Sequence, residues 1–261
     1  MRRGRACRAW LLGILATVAV TAGAQPELTY EEYRSIARSS IQLLHCAMYE
    51  PLDGEVGMMM VLADRFGKLN AYRLLPGNQR ERVWSSRNLD GAAEEVLIAD
   101  LEGDGLEDHI VCRTRRRIYV FRLEDFFNSF ESQPNDYTDI RAFAIGNVDS
   151  DPAAEIVINA DDKLHYVDGL SFTREFTSLN DYEATRMRVG DVTGDNVADI
   201  VLNTGQVIEA STGEIIWEDE VFGSRLELFD LDGDGVLEVM TESDGLPFRV
   251  WDVDFKQEKR F

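Results

Sequence analysis

Four segments of this chain repeat one another in register at intervals of 47, 44 and 39 residues. They are Val96–Asp108, Phe143–Glu155, Met187–Asp199 and Leu226–Glu238. Each opens on apolar residues two apart: Val96/Ile98, Phe143/Ile145, Met187/Val189 and Leu226/Leu228. Period two belongs to a half-buried strand. An acidic loop follows, and then a second β-branched run such as Ile110-Val111 or Ile200-Val201. A third run comes next, as in Ile118–Phe121 and Phe248–Trp251, and a fourth is clearest at Glu214–Trp217.

Four short strands per unit of roughly 43 residues is what a β-propeller blade requires. A fifth, degenerate copy lies upstream. Ala63-Asp64, Lys68-Leu69 and Tyr72 echo Ala160-Asp161, Lys163-Leu164 and Tyr166, while Pro76-Gly77 and Val83-Trp84 match Thr212-Gly213 and Ile216-Trp217. This copy lacks the acidic loop. Residues 53–261 supply 209 residues, enough for five such units. A closed ring also removes exposed strand edges. The expected fold is therefore all-β, a propeller of about five four-stranded blades near 53–90, 91–136, 137–180, 181–220 and 221–261, with an incomplete ring closed by a partner chain as the fallback. Residues 25–52 fall outside the repeat. Thr29 before Glu31 and Glu32, with Tyr33, Ile36, Ala37, Ile41 and Leu44 near helical spacing, predicts a short amphipathic helix packed on the ring.

The acidic loops place oxygen donors at positions 1, 3, 5 and 9. The sets are Asp100, Glu102, Asp104 and Asp108; Asn147, Asp149, Asp151 and Glu155; Asp191, Thr193, Asp195 and Asp199; and Asp230, Asp232, Asp234 and Glu238. Calcium takes six to eight oxygens at about 2.3–2.6 Å, and alternate positions of a tight loop can converge on one ion. Up to four Ca2+ ions are expected, since several carboxylates crowded in one loop repel each other without a cation. Gly105 and Gly235 at position 6 permit a left-handed turn, and Asn196 tolerates one. Pro152 does not, so the loop at 147 is ranked weakest. The competing reading is of plain acidic turns, which four copies in register make harder to hold. An EF-hand is excluded, because position 12 holds Val111, Ile158, Leu202 and Thr241 rather than Glu.

These segments resemble FG-GAP/VCBS-type repeats, the calcium-loop blades of integrin α-subunit propellers and of many exported bacterial proteins. The resemblance covers residues 93–261, extending upstream to 53. The literal Phe-Gly and Gly-Ala-Pro marks are absent, so the likeness is to the broader repeat class. It implies that an ion staples the loop between the first two strands of a blade and takes no part in chemistry. Ala210–Trp217 also looks like the tryptophan-docking motif of quinoprotein propellers, which implies a device locking neighbouring blades.

The first 24 residues differ from the rest. Arg2, Arg3, Arg5 and Arg8 precede the apolar run Ala9–Val20, and Ala22-Gly23-Ala24 offers a cleavage position, so residues 1–24 read as a secretory signal peptide. The expected location is secreted or periplasmic, with no membrane insertion after cleavage. Losing four arginines and no acid takes the formal charge from −21 to −25. That charge excludes nucleic acid and anionic membrane surfaces as partners, because both need a basic footprint. Cys46 and Cys112 are left, as one disulfide or as two buried thiols.

Nothing in the chain marks catalysis. No nucleophile elbow, zincin helix, P-loop or dinucleotide fingerprint is present, and His45, His109 and His165 have no ligand spacing. The run Arg113, Arg115, Arg116 and Arg117 reads as a solvated turn between two strands. The expected function is an exported binding or scaffold module for a protein or glycan. A polysaccharide-active lyase or hydrolase is the alternative, with a quinoprotein-like assembly factor third.

Overall fold

A computed structural model of the chain describes residues 41–49, 58–75, 77, 79–218, 221–242 and 248–259, and of residues 41–45 the backbone alone. The candidate signal peptide and residues 25–40 lie outside the described residues.

Twenty strands form five antiparallel sheets of four, each in simple sequential order. Blade 1 comprises β1 (Ile41–Tyr49), β2 (Met58–Asp64), β3 (Leu69–Leu75) and β4 (Gln79–Ser85). Blade 2 comprises β5 (Glu95–Ala99), β6 (His109–Arg113), β7 (Ile118–Arg122) and β8 (Asn128–Glu131). Blade 3 comprises β9 (Ile140–Gly146), β10 (Glu155–Ala160), β11 (Lys163–Asp168) and β12 (Arg174–Thr177). Blade 4 comprises β13 (Met187–Gly190), β14 (Asp199–Leu202), β15 (Gln206–Glu209) and β16 (Glu214–Glu218). Blade 5 comprises β17 (Arg225–Phe229), β18 (Glu238–Glu242), β19 (Arg249–Asp252) and β20 (Gln257–Lys259).

The first strands of successive blades approach one another, β1 with β5, β9 with β13 and β13 with β17. Both faces of a central blade are therefore covered, and β10 is buried at all six positions. Apolar clusters fill the seams. One joins Val61 and Ala71 to Ile110 and Tyr119, and a second joins Val120 to Phe143 and Ile156. A third joins Val157 and Leu164 to Ile200 and Leu202, and a fourth joins Val201 to Val239 and Trp251. Sheets stacked face to face around a common set of inner strands make a β-propeller.

Two expectations are corrected. Ile41 and Leu44, assigned to the N-terminal helix, lie in β1, and the described residues contain no helix. Their spacing fits a helix, but Ile41–Tyr49 also fits a strand, and pairing with β2 (Ala47 with Val61, Tyr49 with Met59) gives β2 a partner it would otherwise lack. Blade 1 accordingly starts at Ile41 and not near residue 53. The arginine run is a solvated turn only at its tip, where Arg115 and Arg116 are exposed, and its flanks are buried. Arg113 is 4% exposed and donates to Glu94 Oε2 at 2.6 Å and to the Ile140 carbonyl of blade 3 at 2.8 Å. Arg117 is buried against the Ser132 carbonyl and Glu131, and Arg115 pairs with Asp139 at 2.8 Å.

Cys46 is half-buried in β1 and Cys112 fully buried in β6, both as free thiols. Burial pushes the Cys46 thiol up to about 11. The three histidines stand on β1, β6 and β11.

Candidate metal centres

All four acidic loops connect the first strand of a blade to its second, as expected from the repeat. Three share one backbone design. The position-1 aspartate accepts N–H groups from positions 4 and 6: Asp100 from Gly103 and Gly105, Asp191 from Gly194 and Asn196, Asp230 from Gly233 and Gly235. The position-5 aspartate accepts the N–H of position 7, at 2.8–2.9 Å from Leu106, Val197 and Val236. Bending the chain around one carboxylate needs left-handed residues, and Asn196 takes φ 64° where the other two loops use glycine. The loop at 147 keeps the bond from position 7 to position 5, Ala153 N to Asp151, but differs at position 1, where Asn147 donates to the Asp151 carbonyl, and Asp149 accepts from Asp151 N.

Position 9 opens the second strand, and the strand register turns its side chain inward. Glu155, Asp199 and Glu238 are 0%, 1% and 4% exposed. Each accepts one N–H from position 2: Val148 at 2.6 Å, Val192 at 3.1 Å and Leu231 at 2.7 Å. Burial pushes Glu155 up to about 7 and Asp199 up to about 6, against the pull of those N–H donors. Glu155 Oε1 is buried with no hydrogen-bond partner. It shares the loop with Asp149 and Asp151, and the three offer oxygens within 4.8 Å of one another, as do Asp230, Asp232 and Asp234. An unpartnered buried oxygen facing two further carboxylates fits a hard divalent cation.

The loop at 100 departs from this design. Its register pairs Ala99 with His109, whereas Gly146, Gly190 and Phe229 pair with Glu155, Asp199 and Glu238. The loop is thus one residue longer, and His109 stands at the buried position. Asp108 sits just before it, its Oδ1 2.6 Å from His109 Nδ1. Aligning the repeats by their acids hid this offset, which only strand pairing reveals. Asp100 and Asp104 are held by the loop backbone, while Glu102 is exposed. Thr193 adds its hydroxyl to Asp199 at 3.1 Å.

The loops touch across blade seams. A Cβ on Gly103 would collide with the Pro152 carbonyl, and one on Gly194 would fall 3.0 Å from Val236 Cγ2. A shallow cleft of about 340 Å3 lies between the loops of blades 3 and 4, lined by Asn147, Asp149, Asp191, Asn196, Val197 and Ser211.

One device escaped the sequence reading. Ser86, Ser132 and Ser178 follow the last strands of blades 1, 2 and 3. Each hydroxyl accepts the N–H that opens its blade's third strand region, from Leu69, Ile118 and Leu164 at 2.9–3.1 Å. Their spacing of 46 residues was the available signal.

No family model matches this chain, and no curated protein sequence does. Its likeness to solved structures is one of fold. The WD40 domain of Neurospora crassa Pan2 matches with TM-score 0.55 and 13% identity, over 84% of this chain and 71% of that one. BBS1N, solved in complex with ARL6DN, matches with TM-score 0.58 and 12% identity, over 85% and 69%. Sqt1 of Saccharomyces cerevisiae matches with TM-score 0.55 and 11% identity, over 77% and 57%. Five four-stranded sheets and these neighbours together establish a β-propeller.

Proposed function

We propose that this chain is an exported, calcium-stabilised propeller of the broader FG-GAP/VCBS-type repeat class, and that it works as a scaffold for a protein partner. The observation that carries the calcium reading is Glu155, a buried carboxylate with one oxygen unpartnered, facing Asp149 and Asp151. Asp191, Asp195 and Asp199 with Thr193 form a second centre, and Asp230, Asp232, Asp234 and Glu238 form a further acidic cluster, into which Lys259 reaches. Of the loops at 100, 147 and 191, the loop at 100, with histidine at its buried position, is the weakest. This order differs from the one expected from the sequence, which put the loop at 147 last. The ions hold the loops between strands and perform no reaction.

The partner reading rests on the ends of the blades. In a four-stranded meander the first and third connections leave from the same end. That end carries the acidic loops together with exposed Leu106, Phe127, Leu170 and Phe255. Scattered apolar groups among polar loops suit a protein surface. The neighbour BBS1N was solved with a protein partner, ARL6DN. Export rests on residues 1–24.

The test is calorimetry on the full chain. An ion that binds only the folded state stabilises it by about 2.7 kcal/mol at a hundred times its dissociation constant. Calcium should raise the melting temperature by several degrees over chelator, and Glu155→Gln should remove part of that gain. Identical melting curves with calcium and with excess chelator refute the reading. Duplex DNA and phosphatidylserine vesicles should not bind in calcium buffer. Salt-sensitive binding of either would overturn the expected basic or neutral protein partner, and binding of a glycan in its place would redirect it.

A further inference from the structure

The four loops are not equally short of positive charge. Lys259, on the last strand, sends its Nζ to Asp232 Oδ2 at 2.8 Å, to Glu238 Oε1 in closer contact, and to within 3.4 Å of Asp252 Oδ2. Asp232 and Glu238 are positions 3 and 9 of the loop at 230, so an ammonium sits among the oxygens that a calcium ion would use.

Strand register shows why this blade differs. Lys259 pairs with Val250, two residues before Asp252. The matching pairs in blades 2, 3 and 4 are Phe130 with Val120, Phe176 with Tyr166 and Trp217 with Val207. Trp84, which pairs with Ala71, fills the same place in blade 1. Four blades therefore carry an aromatic ring at this position. Three of the rings stack on or lie against an aromatic ring of the next blade, as Trp84 on Phe126, Phe130 on Phe172 and Trp217 against Trp251. Blade 5 alone carries a lysine there, and its chain turns back onto its own loop.

We propose that Lys259 is a tethered cation that takes the place of a metal ion in the loop at 230, so that blade 5 is neutralised without calcium while the loops at 147 and 191 require it. This rests on the calcium reading for those two loops. A tethered ammonium competes at a high effective concentration, and a calcium ion must displace it to reach Asp232 and Glu238.

The experiment is calcium titration of the full chain by calorimetry, comparing the unaltered protein with Lys259→Met and, should that variant fold poorly, Lys259→Gln. The expected result is one additional ion per chain, or at least a tenfold gain in affinity at one site, abolished again by adding Asp232→Asn. Calcium binding to the unaltered chain with no gain in either variant overturns the role of Lys259 and leaves the calcium reading standing. Binding only after Lys259 is replaced supports Lys259 as the competitor and removes the other loops from the reading. No calcium bound by any of the proteins overturns both. A metal-free readout adds a check: in chelator, Lys259→Met should lower the melting temperature more than Lys259→Met lowers it in an Asp232→Asn/Glu238→Gln background. Equal losses overturn the proposal.

Discussion

Phe126 of blade 2 lays its ring flat on Trp84 of blade 1, with centroids 4.7 Å apart and planes 9° from parallel. To do so it holds a left-handed backbone, φ 57°. Phe172 repeats this against Phe130 at 4.8 Å and 8°, with φ 56°. At the next seam Gly213, φ 73°, faces Phe176, whose Cζ would lie 3.1 Å from a Cβ. A bulky residue avoids this region of backbone space, at about 1–2 kcal/mol. The stacked ring offsets that cost by covering the preceding blade.

The first prediction separates those two contributions. Phe126→Ala keeps the backbone cost and loses the ring, so it should cost about 2–4 kcal/mol. Phe126→Gly loses the same ring but relieves the backbone, and should be less destabilising than alanine by about 1 kcal/mol. Urea unfolding of the three proteins checks the order. Alanine equal to or better than glycine would show that φ is not strained.

A second prediction concerns pH in the absence of metal. Burial lifts Glu155 from an ordinary 4.5 to about 7 in the folded chain. The fold then binds this proton more tightly than the unfolded chain does. Its stabilising effect is complete below about 4.5 and is lost as pH rises to about 7. Asp199 acts in the same direction, from 3.8 to about 6. In chelator, the chain should therefore lose stability between pH 5 and pH 8. Glu155→Gln should flatten part of that loss, by about 1–3 kcal/mol at pH 8. Parallel melting profiles for the two proteins would contradict the burial of a charged Glu155.

Arg113 gives a third. Its guanidinium is buried and joins Glu94, Glu95 and the Ile140 carbonyl, tying blade 2 to blade 3. Arg113→Met fills the space but takes the guanidinium donors from the carbonyl and from Glu95. The expected loss is about 2–3 kcal/mol, below that of a fully buried pair because Glu94 reaches solvent. Denaturant midpoints measure it. A neutral or stabilising result would mean that the ion pairs merely offset their own desolvation.

The serine repeat supplies a fourth. The Ser178 hydroxyl accepts from Leu164 N at 3.0 Å and donates to the Asn180 carbonyl at 2.8 Å. Ser178→Ala leaves a buried N–H without that acceptor and should cost about 1–2 kcal/mol. Hydrogen exchange at the Leu164 amide should quicken. Unchanged exchange would point to another partner for that group.

The repeat, the strand alternation and the turn geometry of the loops were legible in the chain because each is local. Val96/Ile98 alternate, Asp191 lies three and five residues from the N–H groups it caps, and Asn196 tolerates its left-handed turn unaided. The sequence by itself thus determined five units of four strands and the places of the acidic loops. It did not decide between helix and strand at Ile41–Leu44, where both periods fit and the open edge of β2 made the choice. Tertiary structure alone placed His109 at the buried position of its loop, since an extra residue is visible only once Ala99 is paired. It alone buried Arg113 against a carbonyl 27 residues away and brought Lys259 to Asp232, also 27 residues distant. Such meetings depend on strand register and on how neighbouring blades pack, which no local spacing encodes.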